Sequence, residues 1–290
     1  MSIREELRDK IERISNLPTL PQIASRLLTL VNSPDTSAKE VAALVGQDIS
    51  LSAKVLRLAN SAYYGTPRAI STIQTAVVRL GFTVINTMVL SLTVFDMFTS
   101  NKKAVRFDRA AFWRHCIRCS VLAKILANKC RQSGVDPEEA FCAALLHDIG
   151  KVVMEQYLHE DFCSALEYAA QDKLSFYDAE TKLLSYSHAD VASWLIARWE
   201  LPDQLHFPII NHHAPQKSEE ATAIVSVCHC ADFLSYDSDL AQKDAGIAPP
   251  LSEQAFSLIQ QDTTPDDSLK ELFAKEFEKA ESFLDIIDGA

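Results

Sequence analysis

The stretch that decides the fold runs Asp136-Pro137-Glu138-Glu139-Ala140-Phe141-Cys142-Ala143-Ala144-Leu145-Leu146-His147-Asp148-Ile149-Gly150-Lys151. Its first four residues are a helix start: a capping aspartate, a proline at the first helical position and a glutamate at the third. The apolar run behind them predicts a buried helix that continues towards Leu158. A histidine and an aspartate are costly to bury in such a helix unless they are paired or bound to a cation. Adjacent helical positions lie about 100° apart, so His147 and Asp148 can flank one metal ion, or Asp148 can bridge two. Lys151 lies one turn on, where its ammonium can neutralise a bound phosphate. A His–Asp hydrogen bond inside a core helix accounts for the pair equally well.

Helix signals continue outward on both sides. Residues 2–14 form a charged amphipathic stretch that stops at Leu17-Pro18-Thr19-Leu20-Pro21. Ser37-Ala38-Lys39-Glu40 reads as a capping box for a helix through Val45, closed by Gly46. Asp48 starts another, with Leu51, Val55, Leu58 and Ala59 on one face. Residues 72–80 run at helical spacing to Gly81, and a strongly apolar helix follows from Phe82 to about Phe98. Asp108 caps a long helix expected to end at Gly134. Further helices are expected at 160–171, 175–185, 188–199, 203–212 and 220–236. Ser268-Leu269-Lys270-Glu271 reads as a second capping box, opening a last helix over 268–287. That helix carries an apolar stripe of Leu269, Leu272, Phe273, Phe277, Phe283 and Leu284. No strand pattern is present. The fold class is all-α. The polar run Thr99-Ser100-Asn101-Lys102-Lys103 divides an N-terminal helical lobe, 1–101, from a second lobe, 102–240. An acidic helical extension, 241–290, follows.

Composition narrows the function. The chain has 290 residues, a length that fits one or two domains. It holds only seven glycines, and none stands in a Gly-x-Gly pair, so the glycine-rich phosphate cradles of nucleotide-binding folds are absent. The net charge is −11; residues 251–290 alone carry ten acids against three lysines. Such a chain lacks the clustered cations that a phosphate backbone requires, so DNA is excluded as a partner. The short helices around Lys39–Val45 and Leu51–Asn60 could be taken for a helix-turn-helix, but the second offers only Lys54 and Arg57. Neither a signal peptide nor an apolar run of 18 residues is found, which excludes a membrane span. Seven scattered cysteines fit a reduced, cytoplasmic protein.

The metal-capable residues of the second half are, in order, His115, His147-Asp148, His188, His212-His213 and Asp232. This series resembles the metal ligands of the HD superfamily of phosphohydrolases. Upstream, Leu17-Pro18-Thr19-Leu20-Pro21, the run Asp48-Ile49-Ser50-Leu51 through Asn60-Ser61-Ala62-Tyr63-Tyr64-Gly65, and Ile73-Gln74-Thr75-Ala76-Val77-Val78-Arg79-Leu80-Gly81 resemble the HDOD family of signalling output domains. The similarity covers roughly residues 15–235. It implies an HD-domain-like helical bundle preceded by a helical lobe. It also implies one or two divalent or trivalent metal ions, iron or manganese before zinc, held by those seven residues. Many HDOD domains look catalytically degenerate and act as regulatory modules in bacteria. The first functional expectation is therefore a signalling output module working through protein contact. The second is a metal-dependent phosphohydrolase in which Asp148 and Lys151 are catalytic. The open partners are a signalling protein, a nucleotide or phosphate ligand, and a second copy of the chain.

Two departures limit the resemblance. His212-His213 is followed by Ala214-Pro215-Gln216-Lys217, without the Gly-Tyr-Pro signature of cyclic-di-GMP phosphodiesterases. One turn before His115 stands Ala111, where a third metal would need a carboxylate. Cys116 and Cys119, one turn apart on the His115 helix, have no second Cys-x-x-Cys to complete a zinc set and read as core thiols. Cys228 and Cys230 read the same way. His229 reads as a surface or core residue before an outer-shell donor, His159 and His206 have no sequence partner, and Trp113, Trp194 and Trp199 read as packing. Lys102, Lys103, Arg106, Arg109, Arg114 and Arg118 form a basic belt beside the site, ordinary for a solvated helix face.

Overall fold

Helix caps explain most of the architecture. The structure, a computed structural model, describes residues 17–31, 33–65, 67–99, 107–130, 134–220, 222–237, 240 and 247–287. The expected helix over 2–14, and Lys102, Lys103 and Arg106 of the basic belt, lie outside these. No strand occurs among the described residues, and none of their helices is long and apolar enough to cross a membrane. All seven cysteines are free thiols.

The chain forms two compact units. One comprises Pro18–Ser100 with Lys275–Ala290. Its helices are α1 (Gln22–Val31), α2 (Ala38–Val45), α3 (Ile49–Ala59), α4 (Ile73–Leu80) and α5 (Phe82–Thr99). The Ser37 capping box is formed as expected, and Asp48 and Thr72 cap the next two helices through their side chains. The apolar α5 is the centre on which α1, α3 and α4 pack. Asn60, at the end of α3, donates to the carbonyls of Leu56 and Ile70 and accepts from the Ile70 N–H, which ties the following loop to the helix. Lys54 pairs with Asp96 at 2.5 Å, so one of the two cations on the second short helix is already neutralised within the unit.

The other unit covers Asn101–Ala274. It contains α6 (Arg109–Lys129), α7 (Pro137–Leu146), α8 (Ile149–Tyr157), α9 (His159–Asp172), α10 (Phe176–Leu183), α11 (His188–Trp199), α12 (Asp203–Asn211), α13 (Thr222–Leu234) and α14 (Glu253–Leu258). Asp136 caps α7 by accepting from the N–H groups of Glu138 and Glu139. Every residue of α7 from Ala140 to Leu146 is buried, and α6, α12 and α13 enclose it. Burial of each large side chain there contributes about 1.5–3 kcal/mol.

Four expectations are corrected. The helix opened by Asp108 ends at Lys129, short of Gly134. The helix expected to run from 137 past Asp148 is two helices, α7 and α8, broken at His147-Asp148. Apolar periodicity persists on both sides of the break, so the pattern does not betray it. The last helical stretch starts one residue earlier than its expected box: α15 is Asp267–Ala280, and Asp266, rather than Ser268, accepts from the Leu269 N–H at 2.6 Å. It also breaks before α16 (Ser282–Ile287). Of its apolar stripe, Leu269, Phe273, Phe277, Phe283 and Leu284 are buried, and Leu272 is exposed. Phe283 packs edge-on to Tyr63 at 5.5 Å and lies 6.1 Å from Tyr64, giving both tyrosines of the Asn60–Gly65 segment an apolar neighbour.

Candidate metal centre

The break at His147-Asp148 positions the site. Asp148 is the N-cap residue of α8, yet its side chain caps nothing. An aspartate in that position ordinarily satisfies helix N–H groups. Here its carboxylate turns into the interior, where it is buried among four histidines. The other candidates also sit at helix ends or on inward faces. His115 faces in from α6, His188 is the first residue of α11, His212-His213 closes α12, and Asp232 lies on α13. All seven are brought together. His147, Asp148, His188, His212 and Asp232 are fully buried, His213 nearly so, and the His115 side chain is 16% exposed.

Gly150 explains how α8 and α11 come close enough. A Cβ at this position would lie 1.9 Å from the His188 carbonyl oxygen and 3.2 Å from the Ala192 nitrogen, both backbone atoms. The glycine in His-Asp-Ile-Gly-Lys is therefore a contact requirement, since no side chain fits between the two backbones.

The donor atoms form two groups, each with all its donor atoms within 4.8 Å of one another. One is His115, Cys119, His147 and Asp232; the other is Asp148, His188, His212 and His213. His115 Nε2 lies 3.4 Å from Asp232 Oδ1 and 3.5 Å from Asp148 Oδ2. His188 Nε2 is 3.0 Å from both Asp148 Oδ1 and His213 Nε2.

Hydrogen bonds outside the cluster fix the ring tautomers. His147 Nδ1 meets the Ala144 carbonyl at 2.6 Å and His212 Nδ1 meets the Ile209 carbonyl at 2.9 Å. His188 Nδ1 meets Glu180 Oε2 at 2.6 Å. Carbonyls and carboxylates only accept, so each Nδ1 carries the hydrogen and each Nε2 turns a lone pair inward. That is the arrangement in which a histidine ligates a metal through Nε2. His147 Nε2, Asp148 Oδ1 and His213 Nδ1 are buried without a hydrogen-bond partner. Acceptors facing acceptors at 3.0 Å are stable only with a cation or a proton between them. The residues fit one or two metal ions on that observation, and the mixed imidazole–carboxylate donors suit several of them.

Protons compete for the same positions. Burial disfavours a charged His147, but the Asp148 carboxylate outweighs it and pushes the imidazole up to about 10. Burial opposes the charge on Lys151 as well, and Asp148, 2.5 Å away, overcomes it and keeps the ammonium protonated. Burial dominates at His212, lowered to about 4, and His213 is also held well below the usual imidazole range.

Two residues of the site were not read from the sequence. Glu180 is fully buried and holds both the ring and the backbone N–H of His188. Cys119, expected in the core, is buried but stands 3.6 Å from His115 Nε2. The remaining expectations are placed plainly. His229 is buried, its Nδ1 donating to the His212 carbonyl at 2.6 Å while Nε2 accepts from the Ser252 N–H at 3.0 Å. His159 meets the Glu155 carbonyl and His206 stacks on Phe207, both away from the cluster. Cys116, Cys228, Cys230, Trp113 and Trp199 are buried. Of the basic belt, Arg109 pairs with buried Glu155 at 2.6 Å, and Arg118 is itself buried.

Two cavities reach the cluster. One, about 520 Å³, is lined by His115, Asp148, Lys151, Arg114, Arg118 and Tyr236 together with several phenylalanines. The other, about 400 Å³, meets His213 and Tyr177.

The model of the HDOD domain matches residues 17–215. The chain belongs to the HDOD family. It is similar over nearly its whole length to the crystal structure of an HDOD domain protein of unknown function from Geobacter sulfurreducens, at 27% identity and a TM-score of 0.78, covering 99% of this chain and 96% of that one. A protein of Shewanella amazonensis SB2B named as a candidate phosphohydrolase gives 27% identity and a TM-score of 0.74, covering 97% of each chain. An uncharacterised protein of Treponema pallidum (strain Nichols) is 26% identical over 227 residues, which are 77% of this chain and 42% of that one. The chain thus spans less than half the length of that curated relative. This HDOD chain carries the expected His/Asp set as a buried cluster that could hold metal.

Proposed function

We propose that this HDOD protein is a metal-dependent phosphohydrolase acting on a small phosphate ester. The observation that carries the reading is the cavity of about 520 Å³ that reaches His115, Asp148 and Lys151. A structural metal site is closed by protein ligands, whereas a catalytic one keeps a position open to substrate. A metal ion in the cluster would supply a water acidified for attack and polarise a phosphoryl oxygen. The chain's own residues do the rest. Lys151 presents a proton-bearing ammonium at the cavity wall, and Arg114 adds positive potential there, which favours an anionic ester and its developing charge. Phe112, Phe162 and Phe176 line the same cavity, Phe176 stacked near His188 and beside the Lys151 ammonium, and their rings exclude water there. Resemblance to the candidate phosphohydrolase of S. amazonensis supports the class of reaction.

The test is turnover of aryl phosphate mono- and diesters, nucleotides and cyclic dinucleotides by protein loaded in turn with iron, manganese and zinc. Hydrolysis that needs metal and is lost in Asp148→Ala is the expected result. Stoichiometric metal without hydrolysis of any ester overturns it. That outcome leaves the second reading, a regulatory module acting on a signalling protein. The ion pair between Lys151 and Asp148 favours this second reading, because it ties the ammonium to a carboxylate instead of leaving it to a ligand.

A further inference from the structure

We propose that Tyr236 is a substrate-binding residue of this centre, its phenolic hydroxyl donating a hydrogen bond to a phosphoryl oxygen of an ester held at the His/Asp cluster. The inference rests on the phosphate-ester part of the proposed function and leaves every His/Asp donor in its place.

The position of the residue carries it. Tyr236 lines the cavity of about 520 Å³ together with His115, Asp148 and Lys151. It follows Asp232 by four residues, just past the end of α13, where its N–H donates to the Phe233 carbonyl at 3.2 Å and keeps the chain turning. The segment meets His115 three times. Asp232 Oδ1 is 3.4 Å from His115 Nε2, Ser235 Oγ is 3.4 Å from Nδ1, and the Tyr236 ring lies edge-on to the imidazole with centroids 5.4 Å apart. The Ser235 hydroxyl directs its single hydrogen to the Asp232 carbonyl at 2.7 Å, so it accepts from His115 Nδ1 and leaves Nε2 turned to the cluster. The contacts that aim a candidate metal ligand therefore also fix the phenol beside it.

Packing alone asks for no hydroxyl there. Phe107, Phe112, Phe162 and Phe176 line the same cavity, and another phenylalanine would fill the place of the Tyr236 ring. The hydroxyl makes no hydrogen bond to any described residue, although the side chain is half-buried. A polar group so placed is satisfied by water or by a ligand. Two neighbouring donors on the cavity wall are already engaged, Lys151 with Asp148 Oδ2 at 2.5 Å and Ser235 with the Asp232 carbonyl. A phenol is protonated at neutral pH, so Tyr236 offers an anionic oxygen a neutral donor that is taken without first breaking an ion pair.

Titration of the metal-loaded full chain with inorganic phosphate, read by calorimetry, tests this without turnover. Tyr236→Phe should bind phosphate about tenfold more weakly, as expected for one lost hydrogen bond to a charged oxygen, at unchanged metal content and melting temperature. Tyr177→Phe, which removes the hydroxyl of a tyrosine lining the other cavity, should bind it as the native chain does. For any ester that is turned over, KM should rise in Tyr236→Phe by more than kcat falls. A crystal structure of the native chain with phosphate gives an independent reading if the variant misfolds, with an anion oxygen expected about 2.5–3.0 Å from the phenol. Equal affinity in Tyr236→Phe and the native chain, a loss in Tyr177→Phe instead, or an anion placed away from the phenol overturns the inference and leaves the metal site standing. A native chain that binds no phosphate overturns it as well. Phosphate binding that depends on Tyr236 without hydrolysis of any ester upholds the inference and sinks the proposed reaction alone.

Discussion

Glu180 Oε2 lies 2.6 Å from His188 Nδ1, and the other oxygen of the same carboxylate accepts from the His188 backbone N–H at 3.1 Å. One buried side chain thus fixes the tautomer, the ring plane and the backbone position of a candidate ligand. Carboxylate partners of this kind raise the basicity of a ligating histidine, and their loss costs about 10–100-fold in metal affinity. Glu180→Gln keeps the volume and offers Nδ1 only an amide. Metal affinity should fall by that factor with little change in helix content; a chelator competition assay reads it. Unchanged affinity would show that His188 does not ligate.

Gly150→Ala should damage both fold and site. The added methyl would meet backbone atoms of His188 and Ala192, which cannot rotate away, so α8 and α11 must separate. Overpacking of this kind costs about 1–3 kcal/mol. A lower melting temperature together with reduced metal content is the expected pair of results; a stable variant with full metal content would contradict the close approach.

Asp148→Ala and His229→Ala should separate ligation from support. Asp148 lies within 3.7 Å of ring nitrogens of His115, His147, His188 and His212, so its removal should strip the metal. His229 bridges the His212 carbonyl and the Ser252 N–H, and its loss leaves the buried carbonyl unsatisfied and the half-buried N–H without this partner. That costs about 1–3 kcal/mol of stability while metal is retained. Elemental analysis beside denaturant unfolding distinguishes them, and equal metal loss in the two variants would remove the assignment of Asp148.

The metal-free protein should lose stability as the pH falls from 6.5 towards 4. His212 is lowered to about 4 and His213 well below its ordinary 6.5, both chiefly by burial. In that window the unfolded chain takes up protons that the folded one refuses, so stability drops with decreasing pH, by up to about 1.4 kcal/mol per unit for each group. His115 and His147, raised above 6.5, are protonated in both states there and do not contribute; their stabilisation is lost only at higher pH. Urea midpoints between pH 7 and 4.5 measure the slope, and His212→Gln should flatten it.

Truncation after Asp267 should lower the melting temperature and raise dye binding. It removes the buried side chains of Leu269, Phe273, Phe277, Phe283 and Leu284, each worth about 1.5–3 kcal/mol, and uncovers Tyr63 and Tyr64. Unchanged melting with lost self-association would instead make α15 and α16 an interaction element.

Local chemistry made most helices legible. Ser37, Asp48, Asp108 and Asp136 each cap a helix through a side-chain oxygen only a few residues from the N–H it accepts, so the sequence alone contains both partners. The His/Asp series was legible through residue type and family resemblance. Cys119 and Glu180 were not. A cysteine four residues after a histidine is common on an ordinary core helix, and nothing in the chain states that Asp232 will stand 4.0 Å from its sulfur. Glu180 is on α10 and His188 on α11, and their bond depends on the turn that links the two helices.

The sequence by itself determined an all-α protein, its helix starts and the residues able to hold a cation, because capping, periodicity and donor chemistry act over three or four residues. Only the tertiary structure decided the rest. It broke the expected helix at His147-Asp148, tied three Nδ1 atoms to acceptors, and set α8 on α11 at the Gly150 contact. It also opened a cavity onto Lys151. Each of these depends on residues far apart in the chain being held at hydrogen-bond or van der Waals distance, and such distances are fixed by packing whole helices together rather than by any local pattern.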